Sequence, residues 1–151
     1  CRAGTESLHD IVGMDEALSL AYENLSSEKV YVADLKAHFI KLLKSEIPEV
    51  KFNATCDDSI KSTYTLVNVC LPVSEAKAPL FLFQLDLKGI ACSKGSACQS
   101  GSDKGSHVLA QILSAEELKR PSIRFSFSIY NNVDELDRVV KTLKELVFES
   151  A

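Results

Sequence analysis

A chain of 151 residues suits one compact domain and is long enough to bury an ordinary core. Hydrophobic residues at 46% and charged residues at 25% exclude wholesale disorder. A formal net charge of −4 with scattered lysines and arginines leaves no electrostatic footprint for nucleic acid. No apolar run approaches the roughly 20 residues of a membrane span, and no signal-peptide pattern opens the chain, so the expectation is a cytoplasmic protein.

In chain order, Gly4-Thr5-Glu6 precedes a helical pattern in which Leu8, Ile11, Val12, Leu18, Ala21 and Leu25 share a face. Ser26-Ser27 reads as the cap of a second helix, with Val30, Ala33, Ala37, Ile40, Leu43 and Ile47 inward and Pro48 as its stop. A short strand is expected over Lys51–Ala54 and a longer one over Tyr64–Leu71, which Pro72 ends. Pro79 to Gly89 is ambiguous: proline at the start and glycine at the end suit a helix, whereas the alternation from Phe83 to Lys88 suits a strand.

Ser114 and Glu117 form a capping box for a short helix before Pro121. Ser122–Ile129 is the cleanest strand, with Ile123, Phe125, Phe127 and Ile129 alternating against Ser122, Arg124, Ser126 and Ser128. Asn132 with Glu135 then caps a helix on which Val133, Leu136, Val140, Leu143 and Val147 step along one face. The order predicts an α/β fold of the α+β two-layer sandwich kind, a short and mostly antiparallel sheet against helices, in a single domain over 1–151.

Between Ser93 and Ser106 runs SKGSACQSGSDKGS, a stretch with half of all the glycines and no large apolar residue. Such a segment cannot anchor itself in a core and is expected to be a mobile surface loop. Free cysteine is among the most buried residue types, so Cys98 in its middle is out of place. It is either an incidental surface thiol or a nucleophile that the flanking Gly95 and Gly101 allow to travel. The five cysteines are odd in number and irregular in spacing, which argues against a disulfide framework. Cys92 and Cys98 lack zinc-site spacing, and no metal site is expected. His107 is read as structural, at the start of a helix.

Two further positions carry possible chemistry. Arg124 is either a solvated residue of a polar strand face or a bidentate fork for a carboxylate. Arg2-Ala3-Gly4-Thr5-Glu6 places free N–H groups and a hydroxyl at a helix start, where anions bind.

The segments RAGTE (Arg2 to Glu6), GIACSKGSACQSGSDKGSHVL (Gly89 to Leu109) and SIRFSFS (Ser122 to Ser128), in this order, resemble the cysteine desulfurases among class V aminotransferases of fold-type I. The resemblance implies a small C-terminal domain, with the end of the large domain at its N-terminus. In such enzymes a loop cysteine attacks the sulfur of a cysteine substrate bound to pyridoxal 5'-phosphate, giving alanine and an enzyme persulfide. It implies Cys98 as nucleophile and persulfide carrier, Arg124 as the grip on the substrate carboxylate, and Thr5 as a phosphate ligand reaching across a homodimer interface. Cys92 is left structural, and Pro79–Lys88 is favoured as a helix. The implied partners are cysteine and sulfur-acceptor or scaffold proteins, in iron–sulfur cluster assembly or thiolation.

Ser7 stands where the family's motif usually has asparagine, and Lys94 and Asp103-Lys104-Gly105 also depart from the common loop. No segment resembles the Ser-x-His-Lys motif of the cofactor lysine, and the chain begins at Cys1, so an excised piece without that lysine is expected. Two alternatives accompany this reading. One is a selenocysteine lyase or cysteine sulfinate desulfinase on the same scaffold, and the other is a non-enzymatic sulfur-carrier or binding module.

Overall fold

The computed structural model describes residues 4–94 and 106–148. Helix α1 (Leu8–Glu46) leads into strand β1 (Lys51–Phe52) and strand β2 (Leu66–Cys70). Helix α2 (Ala78–Leu87), strand β3 (Ser93–Lys94) and the single-turn helices α3 (Leu109–Ile112) and α4 (Ala115–Leu118) follow. Strand β4 (Ser122–Ser126) and helix α5 (Val133–Phe148) complete the described chain. The sheet has the order β1-β2-β4-β3 with every pair antiparallel, and α1, α2 and α5 share a core with one of its faces.

The expected break at Ser26-Ser27 does not occur: α1 runs through it as one helix of 39 residues. Serine is only mildly unfavourable inside a helix, and neither proline nor glycine interrupts the backbone there. The Ser27 hydroxyl donates to the Asn24 carbonyl at 2.9 Å, so it bonds back into its own helix instead of capping a new one. The inward face is also rotated from the expected one. Val32, Leu35, Lys36, Phe39 and Leu43 are buried, whereas Val30 and Ala37 are exposed. Leu43 and Ile47 are buried as expected, and the helix ends at Glu46, before Pro48.

The ambiguous segment is helical. Phe81 and Leu85, one turn apart, enter the core. Gly89 adopts φ +73° and closes the helix, with its N–H donating to the Asp86 carbonyl at 2.8 Å and that of Ile90 to the Leu85 carbonyl at 2.9 Å. This double closure needs a left-handed residue, which glycine supplies without strain. A strand over the same residues would have left the backbone groups dependent on a neighbouring strand.

Both expected capping boxes form. Ser114 accepts from the Glu117 N–H, and the Glu117 carboxylate accepts from the Ser114 N–H. Lys51 donates to the same carboxylate at 2.6 Å, and it and the Ser114 cap hold the Glu117 carboxyl down at about 2. Asn132 and Glu135 pair in the same reciprocal way at the start of α5.

The strands are shorter than expected. Ile129 lies beyond β4 and is exposed, as is Val133 at the start of α5. Ala54 takes φ +55°, which ends β1 after two residues. Tertiary packing of α1 centres on Phe39, whose ring meets those of Phe125 and Phe127 at 5.2 and 5.5 Å. Pairs between His38 and Asp137 and between Lys144 and Glu46, each at 2.7 Å, join α1 to α5.

Candidate functional site

The alternation of β4 sends Ile123 and Phe125 into the core and turns Ser122, Arg124 and Ser126 to the opposite face. Residues paired across an antiparallel ladder share a face. Asn68 on β2 and Ser93 on β3 therefore flank Arg124, one on each side. The N–H of Phe127 donates to the Thr65 carbonyl and that of Leu71 to the Pro121 carbonyl, which fixes where the β2–β4 hydrogen bonds fall. Asn68 and Arg124 thus form a non-hydrogen-bonded pair, the kind in which Cβ atoms stand about 4.5–5.5 Å apart.

Arg124 is half-buried, and among the described residues its guanidinium has no carboxylate or carbonyl partner. Five donors in a rigid fork, mounted on an inner strand of the sheet, suit a planar anion. Beside it Asn53 is buried, and its Nδ2 donates to Asn68 Oδ1 at 2.7 Å and Ser122 Oγ at 3.0 Å. Its backbone N–H donates to the Asn68 carbonyl at 2.9 Å. The Cys56 thiol donates to that same carbonyl at 3.1 Å.

The residues singled out from sequence fare differently. Cys98 lies outside the described residues, together with the rest of 95–105. The last described residues before them, Ser93 and Lys94, pair with Arg124 and Ile123. Thr5 is exposed just before α1. Leu8 and Phe39 are separated by about 46 Å of helix at 1.5 Å per residue, and Phe39 packs on Phe125, the neighbour of Arg124. One chain therefore does not bring Thr5 and Arg124 together.

At the start of α1, Gly4 has φ +124° with open space where a Cβ would be. Ser7 makes no side-chain cap to the backbone, and its hydroxyl donates to Asp10 Oδ2 at 2.6 Å, so a carboxylate occupies the first turn. His107 is exposed in the turn that leads into α3.

The described cysteines are poor nucleophiles. Burial pushes the thiols of Cys56 and Cys70 up. Burial, helped by Asp86, pushes Cys92 up to about 11. Each is held as the thiol, whereas reactivity belongs to the thiolate. Among the described residues no cluster of His, Cys, Asp or Glu could hold a metal ion, and no helix is long and apolar enough to cross a membrane.

Asn53 and Asn68 were not marked from sequence. The available signal was Asn68 as the one amide in the otherwise apolar run Leu66-Val67-Asn68-Val69-Cys70. Asn53 gave no signal, because its partners are 15 and 69 residues away.

The aminotransferase class-V family model matches residues 1–139. A protein named cysteine desulfurase IscS from Clostridium botulinum is 34% identical over 146 residues, covering 97% of this chain and 36% of the relative. One of the same name from Dictyoglomus turgidum is 31% identical, with the same coverage. The crystal structure of a NifS-like protein from Rickettsia africae superposes with a TM-score of 0.72 at 27% identity, covering 98% of this chain and 36% of that one. The chain thus spans about a third of the length of the relatives it matches.

Proposed function

Because the chain belongs to the aminotransferase class-V family, we propose that it is the C-terminal part of a homodimeric, pyridoxal-phosphate-dependent cysteine desulfurase with Cys98 as nucleophile. The observation that carries this reading is Arg124, a half-buried guanidinium on an inner strand with no described counter-charge, beside the segment that leads to Cys98. A half-buried charge without a partner is costly, and a substrate carboxylate would offset that cost.

In this reading Arg124 grips the carboxylate of cysteine and fixes the position of its sulfur. The thiolate of Cys98 attacks that sulfur. A sulfur–sulfur bond forms and the carbon–sulfur bond breaks, its electron pair staying with carbon, which takes up a proton. Alanine leaves, and Cys98 keeps a persulfide for an acceptor protein in cluster assembly or thiolation. Bound pyridoxal phosphate would supply the electron sink that makes the substrate's carbon–sulfur bond labile. Thr5 and the first-turn N–H groups of α1 would hold its phosphate, and the length of α1 favours delivery of that group from a second protomer.

The organisation follows the same logic. Leu8, Ile11, Met14, Leu18, Tyr22 and Leu25 are exposed along the first half of α1. Such a stripe supports a half-helix that belongs to a large domain, with the small domain beginning where α1 meets the sheet. The protein is proposed to work in the cytoplasm.

The test is made on the longer protein that carries this chain. Cys98→Ala lowers alanine release by on the order of 10² or more while the absorbance of the bound cofactor persists. Mass spectrometry of the wild type after exposure to cysteine finds the added sulfur on Cys98. Turnover that survives the substitution, or added sulfur found on Cys92 instead, overturns the proposal. Loading of Cys98 only by a separate donor enzyme would favour the sulfur-carrier alternative.

A further inference from the structure

The amide of Asn68 has one end committed and one end free. Its Oδ1 accepts from Asn53 Nδ2 at 2.7 Å, which fixes the side chain's orientation and turns its own Nδ2 the other way. No described group accepts from that Nδ2, and the one buried side-chain atom without a partner among the described residues is Asn53 Oδ1. Asn68 also stands directly opposite Arg124 at a close, non-hydrogen-bonded position of the ladder. Two unpartnered donors of N–H type, one charged and one neutral, therefore share one patch of the sheet.

Asn53 makes this orientation hard to reverse. It is only 4% exposed and is tied at three points: by its backbone N–H to the Asn68 carbonyl, and by Nδ2 to Asn68 and to Ser122. Ser122 lies two residues from Arg124 on the same face. The cost is a buried Oδ1 with no donor. A side chain held in place despite an unmet acceptor is placed for what its other end does.

Resting on the reading of Arg124 as a carboxylate grip, we infer that Asn68 is a specificity-determining residue that gives the substrate carboxylate a second N–H donor, and that Asn53 is its positioning residue. An arginine alone tolerates many anions and many poses. A second donor at a fixed distance selects a planar carboxylate over other anions and strengthens its binding.

The experiment compares two probes on the longer protein. L-Alanine carries the carboxylate, and cysteamine lacks it while keeping the amine and the sulfur. Asn68→Ser raises KM for cysteine and the inhibition constant for L-alanine about ten-fold, with kcat within about two-fold and the cysteamine constant unchanged. Asn68→Asp sets a carboxylate opposite Arg124 and raises both carboxylate-dependent constants further. Asn53→Ala reproduces the Asn68→Ser effect, and the double variant adds nothing to it.

Equal weakening of both probes means a structural role and overturns the inference, as do unchanged constants in both Asn68 variants. Arg124→Lys separates the two levels. If it leaves L-alanine binding intact, the carboxylate grip itself is wrong. If it weakens L-alanine while the asparagine variants do not, only the inference about Asn68 and Asn53 falls.

Discussion

At Lys36 the fold buries an ammonium without giving it a carboxylate. The side chain is 4% exposed, and Nζ donates to Ser62 Oγ and the Thr63 carbonyl at 2.7 Å each. Loss of hydration pulls its pKa below 10.5, and the nearby carboxylates of Asp57 and Asp58 offset only part of that. The sign of the linkage follows. In the alkaline window below 10.5 the unfolded chain still holds the proton that the fold has begun to release, so stability rises with pH there. Denaturant unfolding of wild type and Lys36→Met at several pH values isolates this effect, because methionine does not titrate. The difference, wild type minus variant, is expected to grow more favourable toward pH 10.5, and a flat or falling difference contradicts it. No periodicity rule reveals Lys36, since a buried lysine reads in sequence as one more solvated charge.

Helix α1 shows how far element-level signals reach. Pro48 as a stop and Leu43 and Ile47 as core residues were legible, because a missing N–H and an apolar step act locally. Ser26-Ser27 misled, because the residue types that cap a helix also occur inside one, and only the hydrogen-bond partner tells which. The two arrangements predict opposite signs for one substitution. If Ser27 were a cap, Ser27→Ala would cost about 1 kcal/mol. Inside a continuous helix the same change is expected to stabilise by a few tenths of a kcal/mol, up to about 0.5, because alanine is the better helix former. Ser27→Pro, by contrast, is expected to cost about 3 kcal/mol through a lost backbone bond and a clash with the preceding turn. Urea unfolding of the three proteins reads both signs.

At the scale of the whole molecule, the described chain is a single sheet with helices against one face and a polar patch on the other. Thr5 and Arg124 fall at two places separated by most of the length of α1, so one copy of this chain does not bring them into one site. The 151-residue chain, mixed with pyridoxal phosphate and cysteine, is expected to release no alanine above a lysine-free control. Turnover that survives Cys98→Ala but depends on one of its own lysines would refute this, and alanine quantification decides it. Contrary to the loop expected over Ser93–Ser106, Ser93–Lys94 forms the edge strand β3, held by its pairing with β4, while Ser106 precedes α3 and 95–105 lie outside the described residues.

Sequence by itself determined what short-range chemistry dictates. That includes two capping boxes, the start and the two faces of the strand beginning at Ser122, the helix stop before Pro48, and a family resemblance carried by contiguous motifs. The periodicity of Pro79–Lys88 left helix and strand open, and only the tertiary structure decided that Ala78–Leu87 is helical, that α1 is unbroken, and that Asn68 stands opposite Arg124 with Asn53 bonded to it from the other side. Those outcomes rest on which surfaces are buried together and on a strand register joining residues dozens of positions apart. Local spacing does not encode such pairings, because the free energy that selects them comes from the shared core.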